Sequence, residues 1–322
     1  MIARRASRWT VEQHLKDESP HSLAVDPGDP AKLYTGTFDQ GLFRSMDAGR
    51  SWEPVGVGIP HTRITAVAVQ RTAEAPVLYT GTEPSTLSRS DDGGNTWQVL
   101  DSMNKLRSAS EWSFPPRPET HHVRWIEPDP HHPGRLYVAI EAGAFIRTDD
   151  GGETWQDRVE DGPFDTHTAS THAATQGRIY SAAGDGYYES TDGGRSWRRP
   201  MEGLQHRYLV GVAVDPSDPE TVVVSAASGP YVAYSPRNAE AYIYHKRSEA
   251  PFELAMVGMP EGVGTVASRL ISVPEEPGLF YAANNHGLFQ SSDAGASWHA
   301  VEIPWPEGVF EHGVDAFIAL SG

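Results

Sequence analysis

The amino-acid sequence predicts an all-β fold, a single β-propeller of six four-stranded blades, with seven blades as the alternative. Three observations lead to this prediction. One short motif returns five times, strand-like segments keep a constant order around each copy, and turn residues are abundant, with 31 Gly and 25 Pro in 322 residues. Sheets repeated at intervals of roughly 40–50 residues are typical of propellers, because one such sheet cannot bury its hydrophobic faces without neighbours.

The repeated motif has the pattern Ser/Thr-x-Asp-x-Gly-x-Ser/Thr-Trp, and its five copies are named here the box hairpins. They occupy residues 45–52, 90–97, 148–155, 190–197 and 291–298. The pattern indicates a tight turn, because the Asp carboxylate accepts hydrogen bonds from turn amides and Gly adopts positive φ without strain. We therefore expect a structural role, and not a catalytic one, for Asp47, Asp92, Asp150, Asp192 and Asp293.

The segments around each box hairpin follow one order: strand A, an Asp-Pro type turn, strand B, a Gly-containing turn, strand C, the box hairpin and strand D. The whole chain, 1–322, is predicted to be one domain. Its blades are predicted at residues 22–58, 64–100, 122–158, 168–200, 208–255 and 265–303.

Two parts of this scheme are irregular. The fifth blade has no box hairpin, because the interval between Trp197 and Ser291 is about twice the usual one, and residues 231–254 take the place of its third strand, turn and fourth strand. The terminal segments 8–14 and 313–320 also resemble strands. They are expected either to close the first and last blades or to be remnants of a seventh blade.

The box hairpins resemble the Asp-box, or bacterial neuraminidase repeat, of sialidases and many other propellers, and the resemblance covers nearly the whole chain. It implies a sialidase-like or glycosyl hydrolase-type repeat protein. Sialidases also carry an Arg-Ile-Pro motif, an arginine triad and a Tyr-Glu nucleophilic pair. Here Arg63-Ile-Thr is the nearest approach to that motif and no Tyr-Glu pair is evident, so classical sialidase activity is not expected. Photosystem assembly factors of similar build bind proteins.

Composition excludes several classes of function. A formal net charge of −17 opposes binding to nucleic acid or to anionic membranes. The absence of cysteine excludes disulfides, thiolate metal sites and a cysteine nucleophile. No apolar run follows the arginines of the N-terminal segment, so no signal peptide is predicted. A cytoplasmic protein is expected.

The resemblance implies that the D-to-A and B-to-C connections share one face, around a central funnel. Basic residues recur at the start of successive A strands, which suggests a cationic or metal-binding funnel. They are His61, Arg63, His122, Arg124, His172, His206, Arg207, Arg269 and His312. Arginine binds carboxylate or phosphate through paired hydrogen bonds, and imidazole is a common ligand of divalent transition metals. His122, His172 and His206 are the candidate metal ligands. The alternative is that these side chains only cap strand ends.

The B-to-C turns contribute His286 and the carboxylates Glu83, Glu141 and Asp185 to the same face. The three carboxylates are candidates for the acid and base of a hydrolase or lyase. A long connection, residues 100–121, adds Trp112 and Arg117, as a stacking wall for a ligand or as a plug of the channel.

Three hypotheses of function follow from these residues. The funnel binds or acts on a small anionic or glycan-like ligand, or it is the histidine site of a metal-dependent enzyme, or the propeller is a non-catalytic scaffold that binds a protein partner. The phased histidines and arginines favour the first.

Overall fold

A computed structural model describes residues 9–311 and 313–320, together with the backbone of residues 2–5. It confirms the predicted fold class, an all-β six-bladed propeller with four-stranded antiparallel blades. In the part of the chain that is described, no helix is long and apolar enough to cross a membrane.

The strands β1 to β24, in chain order, are Ile2–Arg5, Trp9–Glu12, Pro20–Asp26, Asp29–Thr37, Leu42–Ser45, Glu53–Pro54, Ile64–Gln70, Val77–Thr82, Leu87–Ser90, Gln98–Val99, Val123–Pro128, Leu136–Ile140, Ala144–Thr148, Thr166–Thr171, Ile179–Ala183, Gly186–Ser190, Tyr208–Val214, Val222–Ala227, Ala241–Lys246, Glu253–Leu254, Arg269–Ser272, Phe280–Asn284, Gly287–Ser291 and His299–Ala300. The helical elements are one α-helix, α1 (Pro230–Ala233), and two 3-10 turns, Met103–Lys105 and Arg107–Glu111.

Each blade is a meander in which consecutive strands pair. Blades one and two are β3–β6 and β7–β10, and blades five and six are β17–β20 and β21–β24. Blades three and four hold β11–β13 and β14–β16, and their outermost strand is reduced to a single bridge, Arg147 with Gln156 and Glu189 with Arg198. This order agrees with the predicted one.

The terminal segments differ from the expectation. Strand β2 pairs with β1 in a separate two-stranded sheet, so it is not a strand of a blade. Residues 313–320 form no strand; there Val314 accepts a hydrogen bond from Arg269, and Phe317 packs edge-on against Tyr281. These contacts attach the segment to blade six by side chains and not by a β-ladder.

The chain divides into two compact units. The first comprises Met1–Glu160, Phe164–Thr166 and Leu320–Gly322 and contains blades one to three. The second comprises Asp161–Pro163 and His167–Ala319 and contains blades four to six. That the two units form one domain stays a prediction.

The core of each unit lies between neighbouring blades. In the first unit, Tyr34 and Tyr79 from B strands are almost completely buried among apolar side chains of their own and the next blade. Gly36 and Gly81 lie where these B strands approach the next A strand, and a Cβ atom would come within 2.5 Å of Ile64 and 2.3 Å of Val123. Glycine is therefore required there for the blades to pack this closely.

The five box hairpins share one set of hydrogen bonds. In the third, the Thr148 hydroxyl donates to Asp150 and accepts from the Gly152 amide. The Thr154 amide and hydroxyl donate to the two Asp150 oxygens at 2.9 and 2.6 Å. The equivalent bonds recur around Asp47, Asp92, Asp192 and Asp293. One carboxylate thus joins the end of strand C to the start of strand D.

Blade five departs most from the repeat. Its third strand is β19 and its fourth is β20, so residues 242–246 belong to the third strand. The extra residues lie between the B and C strands, where α1 is found. Lys246 pairs with Val222, the position that the first Ser or Thr of a box hairpin takes in the other blades.

Lys246 makes an ion pair in place of the missing hairpin. Its side chain is 3% exposed, and its Nζ lies 3.2 Å from Glu189 of blade four, which is fully buried. Arg198 and the Tyr187 hydroxyl also donate to Glu189. A buried charge is costly unless it is paired and hydrogen-bonded, so blade five depends on blade four through this contact.

The first testable prediction concerns acid stability. Hydrogen bonds from the Thr96 hydroxyl and amide lower the pKa of Asp92 to about 2, below the unfolded value of roughly 3.9. The stabilisation is therefore complete above the unfolded pKa and is lost as the pH falls through the folded pKa. We expect the urea midpoint to fall between about pH 5 and pH 2, and to fall less steeply in Asp92→Asn. An Asp101→Asn control should keep the wild-type slope, and a wild-type slope in Asp92→Asn would contradict the prediction.

The second prediction concerns Lys246. The change Lys246→Met leaves the buried carboxylate of Glu189 with fewer partners and should lower the free energy of unfolding by about 3 kcal/mol, measured by urea denaturation. Adding Glu189→Gln should restore part of this loss, because the unpaired charge is then removed. Lys105→Met, at an exposed site, is the control. A loss no larger than that of the control would refute the role of the ion pair.

Candidate functional site

The antiparallel register of strands A and B places the candidate residues of the first unit. The last residue before strand A lies opposite the first residue after strand B. The Glu83 amide donates to the Arg63 carbonyl at 3.1 Å, and the Glu141 amide donates to the His122 carbonyl at 3.3 Å. In each of these two blades an acidic residue thus lies opposite a basic one, because the backbone hydrogen bonds between strands A and B continue one residue beyond the strands.

Glu83 is at the centre of the first group of charged side chains, in blade two. Its side chain is 4% exposed, and Arg117 binds it with both arms of the guanidinium, Nε to Oε1 at 3.0 Å and Nη2 to Oε2 at 2.7 Å. Arg63 Nη1 lies 3.3 Å from Oε1. Burial alone would raise the pKa of Glu83, but the hydrogen bonds and charge of Arg117, with the charges of His122 and Arg63, outweigh it and lower the pKa.

Arg63 is held in place without being saturated by hydrogen bonds. Its guanidinium stacks over Phe38, 4.1 Å from the ring centroid, and its Nη2 lies 3.8 Å from Asp39. The side chain is 30% exposed. Among the described residues it makes ion pairs but no hydrogen bond, so its N–H groups remain available to an anion.

His122 and Glu141 form the second group of charged side chains, in blade three. His122 Nε2 and Glu141 Oε2 are 2.8 Å apart, and Arg124 Nε lies 3.2 Å from the same oxygen. Phe114 contacts both groups of side chains, because its ring packs edge-on against His122 and also lies under the Arg117 guanidinium. The five residues Glu83, Arg63, Arg117, His122 and Glu141 are called the Glu83 cluster below.

Trp112 does not provide a stacking wall. It is 5% exposed, belongs to the core between blades two and three, and donates through Nε1 to the Ser108 hydroxyl. The connection before blade three therefore contributes Arg117 and Phe114 to the site, while Trp112 anchors this connection to the core.

His172 and His206, two of the candidate metal ligands, lie near opposite ends of strand β17. His206 precedes β17, stacks on Tyr242 and lies 2.6 Å from the Tyr244 hydroxyl. His172 follows the end of β14, and its Nε2 lies 3.0 Å from the carbonyl oxygen of Asp215, beyond the other end of β17. A seven-residue strand is roughly 20 Å long, so these two cannot ligate one ion. A metal at any one of the proposed histidines stays a prediction.

The other candidates of the second unit mostly contact the backbone. The Arg207 side chain contacts the Leu204 carbonyl at 3.5 Å, Arg269 donates to the Val314 carbonyl, and His286 Nε2 lies 3.2 Å from the Gly264 carbonyl. Asp185 accepts from the Tyr188 hydroxyl. These contacts agree with strand-end capping, the alternative interpretation of the sequence.

Two candidates remain. His61 is partly exposed in the first unit, two residues before Arg63. His312 lies outside the described residues. Sequence reasoning overlooked Phe38, which follows strand β4 as Glu83 follows β8 and Glu141 follows β12; the shared position is the signal that could have revealed it.

The fold and the Glu83 cluster define a β-propeller with a charged site, and the comparisons with known proteins support the β-propeller fold. No family model and no curated protein sequence matches the chain. Solved structures do. A GH74 enzyme from Niastella koreensis is 19% identical with a TM-score of 0.67, over 87% of this chain and 46% of that one. The GH74 xyloglucanase from Xanthomonas campestris is 17% identical with a TM-score of 0.67, over 91% and 49%.

A third similar structure is of nearly the same size. YCF48 bound to D1 peptide is 19% identical with a TM-score of 0.63, over 92% of this chain and 86% of that one. The present chain spans about half the length of the GH74 enzymes. At these identities the likeness shows a shared β-propeller fold and nothing about the ligand.

The third prediction tests the charge balance around Glu83. Arg117→Met removes the bidentate hydrogen bonds while burial remains, so the pKa of Glu83 should rise. Side-chain carboxyl titration by ¹³C NMR measures this directly. Arg50→Met, at an exposed turn arginine of the same unit, should leave the Glu83 titration unchanged. An unshifted Glu83 in Arg117→Met would show that Arg117 does not control its ionisation.

Proposed function

We propose that the protein binds a small ligand that carries a carboxylate, such as an acidic sugar, at the Glu83 cluster. The observation that carries this proposal is that the Arg63 guanidinium is fixed in position but not engaged in hydrogen bonds with the described residues. Its guanidinium is fixed by Phe38, Asp39 and Glu83, is part-exposed, and has no hydrogen bond to the described residues. An arginine prepared in this way pairs with a carboxylate without first being ordered.

The charges of the site nearly balance, so the ligand is selected by hydrogen-bond geometry and not by net charge. Three arginines, Arg63, Arg117 and Arg124, stand beside three carboxylates, Asp39, Glu83 and Glu141. An anion therefore gains little from net charge, and it binds because the planar donors of Arg63 and Arg117 match a planar acceptor.

The same geometry favours binding over acid-base catalysis. The lowered pKa of Glu83 keeps it ionised near neutral pH, so it cannot donate a proton, and both its oxygens are bound by Arg117. Glu141 is held by His122 and Arg124. A general acid needs a pKa near the working pH and free access to the ligand. Glu83 lacks the first, and both carboxylates are already bound by arginine side chains.

We also infer that the chain is an Asp-box propeller. The five copies of one pattern, each with the same carboxylate-centred hydrogen bonds, support this assignment. A glycan as the carrier of the carboxylate is consistent with the GH74 enzymes among the proteins of the same fold, and a protein partner, the second candidate, is consistent with YCF48 bound to D1 peptide.

The fourth prediction tests carboxylate binding. Glucuronate, galacturonate and citrate are titrated against the protein by calorimetry, with glucose as the neutral counterpart of glucuronate. We expect at least one carboxylate to bind, and Arg63→Gln to weaken it by about tenfold or more, since a hydrogen bond to a charged group contributes roughly 1.5–3 kcal/mol. Arg50→Gln is the matched control and should bind as the wild type does.

Two outcomes would reject this function. Either no carboxylate binds, or the affinity is the same in Arg63→Gln as in the wild type. The protein-scaffold alternative would then take precedence. Its supporting observation is Tyr231 on α1, which is 87% exposed, since a large exposed aromatic side chain is typical of a contact with another protein.

A further inference from the structure

A depression of about 490 Å³ opens beside the Glu83 cluster, within the first unit. One wall is the turn after strand β8, with Pro84 and Ser85, and the other is the connection before blade three, with Asn104, Leu106 and Ser110. His121 closes one side. It is called the Ser85 depression below. Its volume is within the range of small-ligand sites.

The depression adjoins the cluster through the backbone. Pro84 follows Glu83 directly, and His121 directly precedes His122. The wall formed by the long connection is fixed to the turn, because the Asn104 side-chain amide donates to the Ser85 carbonyl at 3.1 Å. A ligand held at Arg63 and Arg117 therefore has a second surface next to it.

The chemistry of this surface differs from that of the cluster, because no lining residue is an acid, an arginine or a lysine. Ser85 is 2% exposed, and its hydroxyl has no hydrogen-bond partner among the described residues. A buried hydroxyl without a partner is costly and usually marks a group that a ligand or water satisfies. The lining combines hydroxyls and an amide with the apolar side chains of Leu106 and Pro84.

His121 adds a second polar group of the same kind. Burial, and then the charge of His122, lower its pKa, so its imidazole is neutral near pH 7 and offers one donor and one acceptor. Its Nδ1 is buried and has no partner among the described residues. The ring is fixed edge-on against Trp112. A preorganised neutral imidazole suits a ligand hydroxyl better than an ion.

We propose that the Ser85 depression is a second binding site, which takes an uncharged, hydroxyl-bearing group such as a neutral sugar ring. Hydroxyl, amide and neutral imidazole groups together with apolar side chains match the hydroxyls and the C–H face of a pyranose. Together with the proposed function, on which this step rests, the ligand is an acidic oligosaccharide with its carboxylate at Arg63 and a neutral ring beside it.

The experiment separates the two sites. Cellobiose, maltose and lactose, which carry no charge, are titrated against the full chain and followed by saturation-transfer NMR. We expect at least one of them to bind. Ser110→Phe, which fills the depression from its exposed rim, should weaken that binding at least tenfold, while Arg63→Gln should not change it. Ser292→Phe, at an exposed box-hairpin position in the second unit, is the matched control.

The outcomes are distinguishable from those for the carboxylate site. If none of the three disaccharides binds, or if Ser110→Phe binds them as well as Ser292→Phe does, the inference is overturned even when glucuronate still binds. Asn104→Ala provides a second variant if Ser110→Phe does not fold, and it should weaken disaccharide binding as well. A disaccharide that joins glucuronate to glucose should bind at least tenfold tighter than glucuronate alone, and equal affinities would refute the link between the two sites.

Discussion

The antiparallel pairing of strands A and B is the constraint on which the rest of the structure depends. It is the longest ladder in blades one and two, and its register decides which side chains are opposite each other where the strands end. At the other end of every blade except the fifth, the box hairpin closes strands C and D around one carboxylate. The blade therefore has a structural end, built by repetition, and a variable end where side chains differ from blade to blade.

At the variable end of the blades in the first unit, the buried carboxylate of Glu83 and the part-exposed guanidinium groups of Arg63 and Arg117 stabilise one another. Glu83 would be unfavourable as a nearly buried carboxylate, and two arginines make it tolerable. The reverse also holds, because Glu83 orders Arg117 and contributes to the position of Arg63. The aromatic rings of Phe38 and Phe114 complete this support from below, so the exposed arginine groups are presented at a low cost in conformational entropy.

Sequence reasoning predicted the fold well because the box pattern fixes a hairpin locally, and because a repeated hairpin implies repeated sheets. It was less able to place the site. The shared phase of His122, His172 and His206 suggested one location, but phase in a chain does not specify the end of a strand: His172 follows its strand while the other two precede theirs. Trp112 was ambiguous for a different reason, because an aromatic residue in a long loop packs as readily into a core as onto a ligand.

Partnerships between side chains distant in the sequence were beyond prediction. Arg117 and Glu83 are 34 residues apart, and the sequence around either residue does not predict its contact with the other. The Ser85 depression is of the same kind, since its walls belong to a turn and to an irregular connection. Regular elements follow from local rules, whereas contacts of irregular connections depend on the complete packing.

The ion pair of Lys246 has a consequence for how the repeats relate to one another. In the blades with a box hairpin, the hydrogen bonds of the Asp carboxylate lie within the hairpin itself. Blade five lacks this hairpin, and Lys246, at the equivalent position, instead satisfies a charge in blade four. A box hairpin transplanted into blade five would repair the repeat and leave Glu189 without its lysine. The two blades are thus linked by one buried ion pair, and a search that counts repeats by the box pattern would find five units in a protein that has six.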